Sequence, residues 1–428
     1  MAQTEQSSAL LAGRGRRKSG KAARNRLVGI FVPLLLLAYV AFAYFIVVTQ
    51  YSYQYLYLEN HASAHPTLTS LWFILIHILL LATFVHYIKV FRGPSSPSLP
   101  QDPPESIQRK RIIFESDQDG NPLRCWRDNC KGRWKPPRTR HCGTCGTCRP
   151  GFDHHCVWFN ADVTAPDTIQ SFLLTCFLAP ILLIAALAPL WPICWKHATL
   201  IWASARSNPA VHRLWWRHGW WTWLGGPWTH YSWGFLIGAW LYPKHAAPVM
   251  QTDSDWLARP TIGTILLFFC GAAISLVCIG LLSTTLALLA KADLTVDVAR
   301  RRTSARLSQN NPTPRDQSSS PPTSTIHHPL GVNFFWVPLP HAHSAGQRID
   351  DDDGTAVSAG VVIPCHPDEQ PYSAENWKQN LRIMLGLSPF DRLDRMTSWP
   401  ISKSWVSTLQ ERAVNIASQQ QASQSTSP

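Results

Sequence analysis

The chain has 428 residues, a formal charge of +13 and a hydrophobic content of 46%, close to a globular average. That average hides bunching: the apolar residues collect into long runs and the basic residues flank them, which excludes a single soluble globular domain. The Lys/Arg clusters hug the apolar runs, so they favour anionic lipid or an anionic substrate and speak against a nucleic-acid partner.

Residues 1–26 form a polar, basic tail that includes Arg14, Arg16, Arg17, Lys18, Lys21, Arg24 and Arg26. Residues 27–90 hold the first two of four runs long enough to cross a bilayer, a task that takes roughly 20 apolar residues at about 1.5 Å each. These are Leu27 to Val48 and Leu68 to Val90, the second carrying His77 and His86. The first is too long for a cleavable signal peptide and no small-residue cleavage site follows it. The loop between them, Thr49 to Thr67, contains no Lys or Arg, so the positive-inside rule puts the basic N-terminus in the cytosol.

Residues 91–168 are basic again and read as a cytoplasmic loop. The loop opens on "RGPSSPSLPQDPP", a Pro/Ser linker that cannot hold a helix, and carries a Cys/His block with its core at 125–162. Residues 169–290 contain the third run, Phe172 to Trp195, and the fourth, Ile262 to Leu282 with an apolar extension to Ala290. The loop between them, 196–260, has ten of the 20 tryptophans. Trp favours the headgroup zone, so the loop reads as an interfacial lumenal cap; within it Tyr231 to Tyr242 is too short to span and reads as re-entrant or surface-lying.

Basic residues Lys291, Arg300, Arg301, Arg302 and Arg306 keep the tail 291–428 in the cytosol. Much of that tail is Ser/Pro/Thr-rich and is predicted to be partly disordered. Two islands interrupt it. "LGVNFFWVPLP" is aromatic enough to dock on something. "SAENWKQNLRIMLG" reads as a short helix with Ser373 as N-cap, Trp377, Leu381 and Met384 on one face and Gly386 at the end. The final "ASQQQASQSTSP" is low complexity. The expected fold is an α-helical polytopic membrane protein, with four transmembrane helices, a small zinc-binding cysteine-rich domain between spans two and three, and both termini cytoplasmic.

Six of the eleven cysteines fall between Cys125 and Cys156. Disulfides need an oxidising compartment, so in the cytosol metal binding or catalysis is the better explanation, with reduced buried thiols as the bland alternative. Zinc takes four ligands in a tetrahedron. Cys142, Cys145 and Cys148 form CxxCxxC and, with His141, Cys125, Cys130 and His155, give seven donors: enough for one structural zinc, one short of two. Cys156 is left over, with histidines beside it and an acid at Asp153. A nucleophilic thiolate needs an imidazole to take its proton and an acid to orient that imidazole. In an extended segment His154 and Cys156 share a side and His155 faces the other, which favours His154 as base and His155 as ligand. Alternation leaves the reach of Asp153 open.

The run "RTRHCGTCGTCRPGFDHHCVWFN" resembles the cysteine-rich domain of the DHHC protein S-acyltransferases (palmitoyltransferases). The likeness is strong over about Cys125 to Asn160, and the span layout extends it over roughly residues 27 to 300. The resemblance implies an endomembrane enzyme in which Cys156 takes a long acyl chain from acyl-CoA, palmitoyl-CoA above all, and passes it to a cytoplasmic cysteine of a membrane-associated protein. In it His154 is the base and Asp153 orients it. The family's zinc pattern places Cys125, Cys130, His141 and Cys148 on one ion and Cys142, Cys145 and His155 on another. Exposing a C16 chain to water costs about 0.8 kcal/mol per CH₂, so a cavity between the spans is expected to shelter it. Arg138 and Arg140 are candidates for the CoA phosphates, with ordinary lipid-facing charge as the alternative.

Several positions depart from the family pattern. Val157 replaces a proline, Thr164 a glycine, and Asp162 stands where the last zinc cysteine belongs; a carboxylate also binds zinc, at about 2.0–2.2 Å. Cys125 and Cys130 are separated by four residues where two are usual. Asp102-Pro103-Pro104, Leu294-Thr295-Val296-Asp297 and Asn333 are weak matches to further family motifs. The competing reading is a catalytically inactive zinc-bearing membrane adaptor.

Overall fold

An uncharged run satisfies its backbone in lipid only by coiling, and each of the four runs is helical in the computed structural model. The structure describes residues 28–59, 66–93, 99–217, 219–245, 262–310, 332–339, 349–350, 356–357, 359–366, 369–374, 376–387, 399 and 401–425. The basic tail 1–26, part of the Pro/Ser linker (94–98), the stretch 246–261 of the Trp-rich loop and the Ser/Pro/Thr-rich 311–331 lie outside the described residues. Two units divide the chain. Phe31–His86 with Leu174–Leu282 form one, and Tyr87–Leu173 with Ser283–Pro428 and the residues up to Ile30 form the other.

The first unit is helical. Four helices among the described residues are long and apolar enough to cross a membrane. They are α1 (Val28–Ser52), α2 (Pro66–Phe91), a third composite helix over Ile169–Ser207 and a fourth at Gly263–Ala290. The third is 39 residues long, about 58 Å at 1.5 Å per residue, well beyond the roughly 30 Å hydrocarbon core. It is broken at Ala188–Leu190, where Pro189 removes a donor, into α3 (Ile169–Leu187) and α4 (Trp191–Ser207). The sequence-based end of this span, Trp195, lies just past the break.

Leu34, Leu71 and Phe269 point outward, as lipid-facing side chains do. Inward, Ile46, Val47, Tyr51, Ile76, Leu187, Leu190 and Leu267 form a core. Its polar links are few: Trp72 donates from Nε1 to the Ala185 carbonyl at 2.8 Å, and Tyr39 donates to the Leu267 carbonyl at 3.1 Å. Tyr39, Val47, Ile76, His77, Leu183 and Ala186 line an apolar cavity within this unit. The segment read as re-entrant is longer than expected: α5 runs Gly226–His245, 20 residues, and packs along α4. Residues 226–230 before it and 243–245 after it continue the helix, and Gly238 lets its backbone approach Ala205.

The second unit begins at the end of the fourth span helix, α6 (Ile262–Ala290), which leads into α7 (Thr295–Asn310). Strand β1 (Phe114–Ser116) of the central loop pairs with a tail strand that the sequence reading left as a docking island. β8 (Asn333–Pro338) lies between β1 and β9 (Gly360–Cys365) in an antiparallel sheet, registering Phe114 with Trp336 and Ile363 with Phe335. Phe335, Val337 and Ile363 are buried there.

The tail also corrects two sequence expectations. The short helix is α8 (Trp377–Met384), capped by Asn376, whose Oδ1 accepts from the Lys378 amide at 2.9 Å, and not by Ser373. Its buried face is Asn380 and Met384, while Trp377 is 57% exposed. The low-complexity end lies largely in α9 (Lys403–Ser425), whose Leu409, Ala413 and Ala417 are buried against the sheet.

Candidate functional site

Between β1 and the third span the cysteine block folds as three hairpins: β2 (Arg124–Cys125) with β3 (Arg133–Trp134), β4 (Arg140–Cys142) with β5 (Thr147–Arg149), and β6 (Phe152–Cys156) with β7 (Ala161–Thr164). Strands this short are marginal alone. Sulfur and nitrogen donors gather where the hairpins meet. The β4–β5 turn carries Gly146 at φ 67°, and in it the Cys145 amide donates to Cys142 Sγ at 3.4 Å. Glycine tolerates that left-handed turn, which lets both CxxC thiols face one point. The wide Cys125–Cys130 spacing is absorbed by a 3₁₀ turn at Asp128–Cys130 with Asp128 and Lys131 left-handed.

Two groups of four donors result. In the first, Nδ1 of His141 lies 3.6, 3.5 and 3.8 Å from Sγ of Cys125, Cys130 and Cys148. In the second, Nδ1 of His155 lies 3.8 and 3.5 Å from Sγ of Cys142 and Cys145 and 2.9 Å from Oδ1 of Asp162. Within each group all four ligand atoms are within 4.8 Å of one another. A tetrahedral zinc with the usual Zn–S and Zn–N lengths sets sulfur and nitrogen about 3.5 Å apart, so both donor sets fit a metal ion. Asp128, which the sequence reading did not single out, adds a hydrogen-bond partner: its Oδ2 is 2.9 Å from Nε2 of His141. It holds the ring with Nδ1 toward the thiols, as carboxylates do behind metal-binding histidines.

Cys156 belongs to neither group. On β6 the register shifts between Phe152 and His154, leaving Asp153 as an extra residue in a bulge. A bulge re-aims a side chain. It brings Asp153 Oδ2 within 2.6 Å of Nδ1 of its neighbour His154, a contact that plain alternation would not provide. Thr295, at the start of α7, donates to the same carboxylate twice, from its amide to Oδ1 at 2.7 Å and from its hydroxyl to Oδ2 at 2.9 Å.

With Nδ1 engaged by Asp153, the other ring nitrogen of His154 is left for a second partner, and the Cys156 thiol two residues on along β6 draws positive charge to the ring. Burial works against a charge on His154. The Asp153 carboxylate, and after it the Cys156 thiol, outweigh it and hold the imidazole pKa up, to about 9. The ring rests edge-on against Phe172 at 5.5 Å, and Cys156 is buried.

From Cys156 the chain turns through Asn160, left-handed at φ 48°, into β7. The register sets His155 opposite Asp162, which makes the two a ligand pair. Gly151, before β6, allows a close pass of β7's end: a Cβ there would lie 1.9 Å from the Ala165 carbonyl oxygen.

Arg138 is buried, donates to the Ala292 carbonyl at 2.8 Å and Asp297 at 2.9 Å, and lies over the Tyr372 and Trp399 rings. Its guanidinium is thus engaged inside the unit. Arg140 lines a polar pocket together with Arg300, Arg301, Asn333 and His366. Asp102 accepts from Arg124 at 2.8 Å. Asn333 accepts from Arg300 at 3.4 Å, whereas the asparagine that ties the tail to the span is Asn380, donating to the Ala290 carbonyl at 2.9 Å and accepting from the Ala374 amide at 2.6 Å. An asparagine on the buried face of an amphipathic helix was the signal for it.

Residues 121–223 match the family model described as DHHC palmitoyltransferase. Palmitoyltransferase spe-10 of Caenorhabditis elegans is 46% identical over 55 residues, 13% of this chain and 15% of that protein. Probable protein S-acyltransferase 12 of Arabidopsis thaliana is 27% identical over 140 residues, 31% of this chain and 46% of its own length. Palmitoyltransferase PFA3 of Saccharomyces cerevisiae is 30% identical over 115 residues, 23% and 34% of the two chains. The chain spans less than half the length of these curated relatives. The resemblance first read from the DHHC run is thus found independently by the family model and by these relatives.

Proposed function

We propose that the chain is a multi-pass membrane protein S-acyltransferase that moves a long acyl group from acyl-CoA to a cysteine of a membrane-associated protein through a thioester on Cys156. One observation carries this reading: Cys156 stands outside both four-donor groups, two residues along β6 from an imidazole that an aspartate holds from behind. A thiol reserved from metal binding and paired with a base is the arrangement a cysteine nucleophile requires.

In the first step His154 takes the Cys156 proton, the thiolate sulfur bonds to the thioester carbon of acyl-CoA, and the carbon–sulfur bond to CoA breaks. The leaving CoA sulfur receives the proton from His154. In the second step the substrate cysteine gives its proton to His154, its sulfur takes the acyl carbon, and Cys156 leaves and is reprotonated. Asp153, fixed by Thr295, keeps the imidazole oriented and stabilises its charge in both steps.

The two donor groups suit structural zinc, one ion on Cys125, Cys130, His141 and Cys148 and one on Cys142, Cys145, His155 and Asp162. When bound, zinc supplies a cross-link between short hairpins that have little core of their own. Arg138 and Arg140, with Arg300 beside them, are the residues to receive CoA phosphates, since all three line one polar pocket, in which Asp297 pairs with Arg138 at 2.9 Å and lies 3.8 Å from Arg140. The apolar cavity of the helical unit offers the kind of surface an acyl chain seeks. The Lys/Arg-rich flanks of the spans support a cytosolic side for both termini.

Labelling with an alkyne fatty acid tests the proposal. The wild type acquires a hydroxylamine-labile label and Cys156→Ser does not. A label of equal size in the mutant would falsify the acyl-enzyme, and no label in either protein under zinc-replete conditions would leave the inactive adaptor.

A further inference from the structure

The two donor groups differ in three ways that all act in one direction. The first has three thiolates and one imidazole, the second two thiolates, one imidazole and the Asp162 carboxylate. Thiolate is the softer ligand and suits zinc better than a carboxylate, which is more at home on harder cations. Asp162 is also already shared. Its Oδ2 accepts from Arg149 Nε at 3.3 Å, so Oδ1 alone turns toward His155 and the thiols. The guanidinium draws negative charge away from the donor oxygen. Solvent access differs as well, because Cys145 is exposed whereas the three cysteines of the first group are buried. An exposed thiolate gives a competing chelator a point of attack.

The groups also hold different parts of the fold. Cys125, Cys130, His141 and Cys148 join the β2–β3 hairpin to β4–β5 and include no donor from β6 or β7. Cys142 and Cys145 come from the β4–β5 hairpin, His155 from β6 and Asp162 from β7, so the second group fastens the hairpin that carries Cys156. Losing an ion from the second group would therefore free the nucleophile's hairpin and leave the first two hairpins joined.

We infer that the second group is an exchangeable zinc site whose occupancy gates acyl transfer, and that the first is a permanent one. The gating half of this inference rests on the proposed acyltransferase function; the exchange half does not. Free zinc then acts as a switch on the enzyme over a range in which the first site stays full.

The test uses the full-length protein in detergent or nanodiscs. Zinc is counted by mass spectrometry, and its release to a chromogenic chelator is followed in time. Wild type is expected to release two equivalents in two phases, one at least about tenfold faster than the other. Asp162→Ala should hold one equivalent, and Asp162→Cys should hold two and release both slowly. Cobalt substitution gives a reading independent of activity. Sulfur-to-cobalt charge-transfer absorption should follow a thiolate count of three plus two in the wild type, and Asp162→Cys should raise it by about a fifth. Retention of two equivalents in Asp162→Ala, release of both in one phase from the wild type, or a single equivalent bound even in excess zinc would each overturn the assignment.

For the gate, alkyne-acyl labelling is repeated at buffered zinc between the two release points. Each protein is compared with its own zinc-replete value. Wild-type label is expected to fall while that of Asp162→Cys holds. Loss of the fast zinc without loss of label overturns the gate. Two-phase release together with no label at any zinc level instead refutes the acyltransferase reading and leaves the exchangeable site standing.

Discussion

The helical unit and the cysteine-rich unit are stabilised by different kinds of information. In the first, long uncharged runs become helices because no other backbone conformation satisfies itself in lipid, and the contacts that join them are apolar and interchangeable. In the cysteine block of the second, strands of two to five residues are positioned by named atoms: sulfur and nitrogen facing one point, a bulge that turns an aspartate, a threonine bonded twice to it. Composition tolerates substitution. Geometry of this kind does not.

The comparison is sharpened most by removing a ligand of the first metal group. Cys148→Ser takes away one of the four donors of the proposed first site, and structural zinc contributes about 10–16 kcal/mol in small zinc domains. Purified protein should contain at least one equivalent less zinc, and limited proteolysis should cut within residues 114–164 while the span helices keep their circular dichroism. Full zinc content and resistance in the mutant would show that the hairpins stand without the ion.

A smaller effect is expected at Thr295→Val, which deletes one of the two bonds to Asp153 and keeps the shape. A hydrogen bond to a charged group contributes about 1.5–3 kcal/mol, so single-turnover acylation of Cys156 should slow by roughly tenfold or more with zinc content unchanged. An unaltered rate would mean that Asp153 is oriented by the bulge and the Thr295 amide alone. The smallest effect belongs to the helical unit. Trp72→Phe removes the bond from its ring to the α3 backbone, Nε1 to Ala185, and should lower stability in detergent by about 0.6 kcal/mol, the average for such bonds between membrane helices. A loss of several kcal/mol in a thermal-shift measurement would break the contrast between the units.

Much of the site was legible in the sequence because its chemistry is local. Cys156, His154 and His155 are neighbours on one strand, and the period of two separates the histidines correctly. Asp153 was legible as an acid but not as a partner, since its reach depends on a bulge that exists only once β6 is paired with β7. Asp162 was legible as an odd residue at a ligand position, and the strand register is what brings it opposite His155. Asp128 acts on a group 13 residues away and had no sequence pattern of its own, and Asn380, whose one signal was its place on an amphipathic helix, acts on a group 90 residues away.

By itself the sequence determined which segments are apolar enough for a bilayer, which side carries the positive charge, and that a dense set of soft ligands encloses one unclaimed thiol. Those are properties of composition and short spacing, and they survive any arrangement of the rest. Tertiary structure decided what depends on distance in space: that the tail supplies two strands of a sheet with the central loop, that Arg138 and Arg140 meet Asp297 in one pocket, and that Thr295 closes on Asp153. Hydrogen bonds and metal ligation act over a few ångströms, so residues more than a hundred positions apart acquire a shared role only after the chain has folded.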